Sequence, residues 1–311
     1  MPKRSLLMAL LVLLVCMGAF MTLGAQGSWS FLLPFRGVKL LALLEVAVAV
    51  SISTVLFATI TNNRILTPSL MGFDSLYVLS QTVLTFVLGV QATSAISPQL
   101  LYAGQIVVMV FLCTGLFRWL FLGSLHLVLL VGLVMGTLFR TLSTFLQRLL
   151  SPNDFVVLQD QLFASFNGVD RNLLGLSLLA IVLVSVRVWQ QRFVIDVLAL
   201  GREPAISLGL DYRREVTNLM MLIAVLVSVS TALVGPITFF GLLVANLAYR
   251  LAPSYRHQEV LPMACALGGI CLVGGQTVLE RVLGFDTALS IVVEFLGGAV
   301  FIAMLLKGNK R

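Results

Sequence analysis

The stretch VKLLALLEVAVAVSISTVLFATI, Val38–Ile60, carries only two charged side chains, Lys39 and Glu45. A helix on the surface of a soluble protein shows one apolar stripe and one polar face. This stretch is apolar on every side. About 20 such residues, rising 1.5 Å each, cross the roughly 30 Å hydrocarbon core of a bilayer. It therefore reads as a membrane span. Working outward, similar runs recur at Leu6–Leu23, Ser69–Val90, Leu100–Phe121, Leu125–Leu146, Leu173–Trp189, Val216–Val234, Ile237–Leu251, Val260–Val278 and Ala288–Leu306. The composition agrees: 311 residues, 59% hydrophobic, 11% charged, mean hydropathy +1.05. A soluble domain is about 45–50% apolar and about 25% charged, and disordered chains are poor in apolar residues. The expectation is an all-α polytopic membrane protein of about ten transmembrane helices, forming one continuous domain over residues 1–311.

Breakers mark the junctions at Pro34, Pro68, Pro98, Pro152, Gly235-Pro236 and Pro253. Two connections, Gln147–Asn172 and Gln190–Glu215, are longer and more polar than the rest. The start, Lys3-Arg4 followed by Ser5–Gly24, has the charged-then-apolar order of a signal peptide. Its apolar part exceeds the usual 7–15 residues or so, so it reads as an uncleaved first span.

Charge orients the bundle. With both termini in the cytoplasm, fourteen Lys and Arg residues fall on the inner side, and only Arg36, Lys39, Arg148, Arg171 and Arg281 fall outside. That is a strong positive-inside bias. The sequence pI of about 9.6 follows from these scattered edge cations and points to no nucleic acid partner.

Catalytic signatures are missing. The sequence has no H-E-x-x-H, G-x-S-x-G or Walker A motif, and no GxGxxG with a distant acid. The four cysteines, Cys16, Cys113, Cys265 and Cys271, lie in apolar runs without metal-type spacing and read as small buried hydrophobes. His126 and His257 fall near inner edges and read as solvated or capping residues. No metal site and no cofactor is expected, and ATP-driven work would need another chain.

The inner loop then carries a more specific pattern. Asp196–Gly209, D-V-L-A-L-G-R-E-P-A-I-S-L-G, resembles the L-A-L-G-E-x-A-x-x-L-G signature of the iron-chelate and cobalamin ABC importer permeases, the FecCD family. Gly235–Leu242, G-P-I-T-F-F-G-L, resembles that family's G-P-I-x-F-x-G-L, and Phe166–Asp170, F-N-G-V-D, its F-x-G-V-D. The order is the family's and the similarity covers nearly the whole chain. Ala245-Asn246 stand where the family usually has Pro-His, and Arg202 stands where it usually has the acid, with Glu203 one place later. Thr67–Asp74, T-P-S-L-M-G-F-D, is similar to the catecholate-siderophore subgroup.

The resemblance implies a permease with ten spans in the bacterial cytoplasmic (inner) membrane. It also implies a second permease chain, identical or homologous, two ATP-binding subunits, an extracytoplasmic siderophore-binding protein and a ferric siderophore as substrate. It makes residues 194–214 the coupling loop to the ATPase, with Leu198, Ala199, Leu200, Gly201 and Glu203 as the contact set. Residues alone leave open a plain amphipathic loop on the membrane, although Gly201 permits a sharp bend between two short helices. Arg36, Lys39 and Arg281 are the implied cations for binding-protein docking, against the simpler reading of interfacial anchors. Leu125 and His126 align with the family's inner gate.

Glu45, Arg140 and Glu294 fall inside spans, where a charge costs at least about 2.5–3.5 kcal/mol unless it faces a bundle interior or water. Arg140 is a pathway candidate, since the fifth span lines the pathway in the family and ferric catecholates are anionic. The alternative is a structural pair with Glu45 or Glu294. A secondary transporter driven by an ion gradient is the competing function; it would need charged or broken-helix ion sites near the midplane.

Overall fold

The computed structural model describes residues 2–25, 28–120, 125–163, 165–166, 168–282, 284, 292–295, 297–299 and 302. Among these residues the chain is helical, with no strand. The helices are α1 (Pro2–Thr22), α2 (Trp29–Ile60), α3 (Phe73–Ala95), α4 (Pro98–Leu120), α5 (Leu125–Gln147), α6 (Pro152–Leu162), α7 (Arg171–Gln190), α8 (Arg192–Leu198), α9 (Arg202–Ser207), α10 (Tyr212–Val234), α11 (Phe240–Leu251) and α12 (His257–Gly269). Wider π-type turns at Ile270–Gly274 and Val278–Val282 carry α12 on, so that its apolar span runs His257–Arg281. Eight helices among the described residues are long and apolar enough to cross a membrane, and α11 is a shorter apolar helix. The expected span Ala288–Leu306 lies largely outside the described residues.

Burial sorts these spans into layers. The α2 span is 72% buried and the first span 6% buried. The spans of α10 (67%) and α12 (61%) join α2 at the centre, while α1, α4, α5 and α7 form the periphery. Local chemistry sets the helix ends. Asp170 caps α7, accepting from the Asn172 N–H at 2.8 Å, and Asp211 caps α10, accepting from the Arg214 N–H at 3.2 Å. Ser151 caps α6 and Pro152 occupies its first position, where no amide hydrogen is needed. Gly235, at φ 94°, ends α10 just before Pro236.

Three boundaries differ from the sequence reading. Pro34 lies inside α2 rather than before it, near the helix start where one lost ladder bond is tolerated. The expected span Ser69–Val90 splits: Ser69–Met71 forms a 3₁₀ turn, Gly72 turns left-handed at φ 99°, and only then does α3 begin. The connection Gln147–Asn172, read as a polar loop, contains α6, while Gln190–Glu215 contains the expected pair of short helices, α8 and α9.

Two helices start within the membrane depth. Gly72 packs against Gly136, which lies near the middle of α5, so α3 begins halfway up α5. Helix α11 is 12 residues long, about 18 Å at 1.5 Å per residue, and spans only half the hydrocarbon. The chain from residue 61 to residue 72 therefore climbs back into the bundle before α3 begins. Irregular backbone at such depth is tolerated where protein surrounds it. Here side chains satisfy part of it: Asn63 Oδ1 accepts from the Ile65 N–H at 2.9 Å, and Thr67 Oγ1 accepts from the Leu70 N–H at 3.3 Å.

Candidate functional site

At the inner end, α8 and α9 form the bent pair that the glycine permits. Gly201 sits between them at φ 98°, ψ 176°, a backbone region open essentially to glycine alone. The expected contact set divides by exposure. Leu198 is buried and anchors α8 in the bundle, as Ile195 and Ala205 anchor the two short helices. Leu200 and Glu203 are exposed, Ala199 and Gly201 half-buried. Phe193, Ile206 and Leu208 add exposed apolar surface beside Leu200. These three were not singled out by the motif, because a signature shows identity and not which side faces out.

His257 is neither solvated nor at a free edge; it is 1% exposed. Its backbone N–H donates to Asp196 Oδ1 at 2.8 Å, and its ring Nδ1 meets the same oxygen at 2.6 Å. An ionised carboxylate only accepts, so Nδ1 carries the proton. The other ring nitrogen lies 2.8 Å from Thr59 Oγ1 on α2. Nearby, the Arg64 guanidinium stacks on Tyr249 (4.6 Å) and Tyr255 (4.9 Å), and Asn246 Nδ2 donates to the Arg64 carbonyl at 3.2 Å. The inner turns after α2 and α11 and the bent pair thus meet at one end, the grouping that charge had assigned to the cytosol.

The opposite end gathers Arg36, Lys39 and Arg281. Arg36 is buried. Its guanidinium donates to the carbonyls of Phe20 (3.2 Å), Met21 (2.8 Å), Leu23 (2.9 Å) and Gly24 (2.8 Å). A cation on orphan carbonyls is a C-terminal cap for α1. Lys39 pairs with Glu280, and Arg281 approaches the same carboxylate at 3.5 Å. Glu280 also accepts from Gln276, so it is an engaged ion-pair partner. Phe35, Val38, Phe166, Val169 and Arg171 complete an outer recess around Lys39 and Arg281.

Along α5, Thr137, Thr141 and Thr144 are exposed at spacings of four and three, one face of a helix, with Arg140 beside them and Arg148 just past the helix end. The threonine hydroxyls donate to their own helix: Thr137 to Val134 O (2.7 Å), Thr141 to Thr137 O (2.9 Å), Thr144 to Arg140 O (2.9 Å). Among the described residues no carboxylate lies within 4.0 Å of Arg140. Glu45 instead accepts from Ser177 of α7. The side chains of Leu125 and His126, the gate candidates, lie outside the described residues.

Two further acids, the buried Asp74 and the half-buried Glu294, hold the broken helices. Asp74, in the first turn of α3, accepts from Thr238 Oγ1 at 3.1 Å. Glu294 accepts from the Thr238 N–H at 3.4 Å, just ahead of α11. Both carboxylates stand at positive helix ends, where an anion is stabilised. The midplane therefore has the broken helices a secondary transporter would use, with their acids committed to protein donors. Among the described residues no group of three or more His, Cys, Asp or Glu side chains is placed to hold a metal.

Among solved structures, the fold is that of the membrane subunit of an ABC transporter. A protein described as a metal-chelate type ABC transporter, in an inward-facing conformation, matches 99% of this chain and 100% of its own, with TM-score 0.85 and 20% identity. PsaBC from Streptococcus pneumoniae, solved with a Fab, matches at TM-score 0.59 and 17% identity over 86% of this chain and 90% of its own. The chain belongs to the FecCD transport family, whose model matches residues 6–307. It is 43% identical to the petrobactin import system permease protein YclO of Bacillus subtilis, over 99% of this chain and 98% of the relative. It is 38% identical to the petrobactin import system permease protein FatC of Bacillus anthracis, over 88% of this chain and 78% of the relative. The vitamin B12 import system permease protein BtuC of Vibrio vulnificus is 25% identical over 99% and 95%.

Proposed function

We propose that this chain is the permease subunit of an ABC importer for ferric siderophores in the bacterial cytoplasmic membrane. Residues 1–311 act as a single permease domain beside a second permease, identical or homologous. Two ATP-binding subunits sit on the inner face, and a siderophore-binding protein delivers substrate from outside. The observation that carries this reading is the 43% identity, over 99% of the chain, to a relative named for petrobactin import.

The physical chemistry supports the assignment. A polar stripe with Arg140 on the outward face of α5 is costly against lipid, where a central charge costs at least about 2.5–3.5 kcal/mol. It is stable against water, so that face lines the pathway opposite the second permease. A cation on that wall offsets part of the desolvation of an anionic chelate. The bent pair α8–α9 offers Leu200, Glu203 and the apolar residues beside them to a groove on the ATPase. Hydrolysis belongs to that partner, and this chain supplies the conduit. Lys39 and Arg281 are the docking cations of the outer recess, steering the acidic lobes of the binding protein.

The test is reconstitution. The chain is co-purified with its ATPase and second permease and placed in lipid vesicles with a loaded binding protein. Ferric siderophore should accumulate with ATP and not without it. Accumulation driven by an ion gradient alone would overturn the reading.

A further inference from the structure

Among the described residues, the hydrogen bonds of Asp196 to His257 are the polar link from the 194–214 loop to a span that is not its chain neighbour. Helices α7 and α10 adjoin that loop in the chain and feel its movement directly. Helices α2 and α12, two central spans, do not adjoin it in the chain, but α8 packs against both. His257 opens α12, takes Asp196 of α8 on one ring nitrogen, and meets Thr59 at the inner end of α2 on the other. At the far end the same two helices are joined again, by Lys39 of α2 and Glu280 beyond α12. Helices α2 and α12 also pack against each other along their lengths.

We propose that α2 and α12 form a strut pinned at both ends, and that His257 is the positioning residue through which the coupling loop grips it. The proposal rests on the reading of that loop as the ATPase contact. A displacement of α8 moves the Asp196 carboxylate. The imidazole, held by one hydrogen bond on each ring nitrogen and enclosed by protein, carries that displacement into α2 and α12 together. Twenty residues of α2 separate Thr59 from Lys39, about 30 Å of helix at 1.5 Å per residue. The strut thus joins the inner contact surface to the outer recess, and docking outside and ATP turnover inside bias one element.

The test uses the reconstituted complex and reads the ratio of ATPase activity with loaded binding protein to that without it. Thr59→Val removes only the hydroxyl that meets the ring, and Thr59→Ser restores it. Asp196→Asn keeps the shape of the other partner and removes its charge. His257→Ala removes the joint. Thr59→Val, Asp196→Asn and His257→Ala should each lower the stimulation ratio of assembled complex by about fivefold or more, a typical coupling between sites. Thr59→Ser should return it to the wild-type value. Should His257→Ala fail to assemble, the other two variants decide. Wild-type ratios in both overturn the strut, even where thermal stability falls. A wild-type complex that shows no ATP-dependent uptake would instead defeat the importer reading.

Discussion

Gly72 and Gly136 touch backbone to backbone: a Cβ on Gly72 would stand 2.8 Å from the Gly136 Cα, and one on Gly136 would stand 3.1 Å from the Gly72 Cα. One turn earlier on α5, the Met71 side chain fills the space beside Gly132. This small-residue seam sets where α3 begins and which face α5 turns outward. Gly136→Ala and Gly72→Ala should each destabilise the permease by about 1–3 kcal/mol, through overpacking and, at Gly72, its left-handed backbone. Gly104→Ala on α4, which meets nothing within 4 Å, is the control. Thermal midpoints of the purified protein check this; equal midpoints for all three would refute the seam.

The bend at Gly201 makes a second prediction. Any side chain there strains the backbone by about 1–3 kcal/mol, and the new Cβ would come within 3.4 Å of Asn62 Nδ2. Gly201→Trp should insert in the membrane at wild-type levels yet break the link between ATP hydrolysis and uptake. The measurement is chelate transported per ATP hydrolysed. A normal ratio would show that the bend is not part of the coupling surface.

The three outer cations should separate by experiment. Arg36→Ala strips α1 of its carbonyl cap, and charge-assisted hydrogen bonds are worth about 1.5–3 kcal/mol each. It should lower stability at any salt concentration. Charge reversal at Lys39 and Arg281 should instead slow binding-protein association, most strongly at low ionic strength. Because Lys39 pairs with Glu280, the swap of Lys39→Glu with Glu280→Lys should restore stability without restoring docking. Association rates measured across a salt series decide, and rates that do not change on reversal count against the docking role.

Arg140 stands on the exposed stripe of α5 without a carboxylate within 4.0 Å among the described residues. Arg140→Gln should cut uptake of an anionic ferric chelate about tenfold at sub-saturating concentration, equivalent to about 1.4 kcal/mol. Stimulation of the ATPase by the binding protein should persist. Loss of folded protein instead of uptake would assign Arg140 to structure.

Much of this architecture was legible in the sequence, for identifiable reasons. A run such as Val38–Ile60 reports its membrane location through composition alone, and scattered Lys and Arg report sidedness because orientation is a local charge rule. The bend at Gly201 was legible because a turn between two short helices favours glycine, while the coupling role of the surrounding L-A-L-G was read only through the family resemblance. What escaped was pairing across distance. Asp74 meets Thr238 and Asp196 meets His257 only once the bundle is closed, and no local pattern marks either partner. Arg36 at a helix end reads the same whether it caps a neighbour or faces water. The break ahead of α3 hid in a continuous apolar run. The Gly132-x-x-x-Gly136 spacing, a known small-residue signal, would have pointed to the seam beside it.

The central claim is that this chain is a passive conduit driven by a separate ATPase seated on the bent pair α8–α9. Its most direct test is uptake of ferric siderophore by vesicles containing the complete complex, measured with ATP, with a non-hydrolysable analogue, and with the ATPase subunits left out. The account predicts accumulation only with ATP and the full complex. Accumulation by the permease without its ATPase would contradict it.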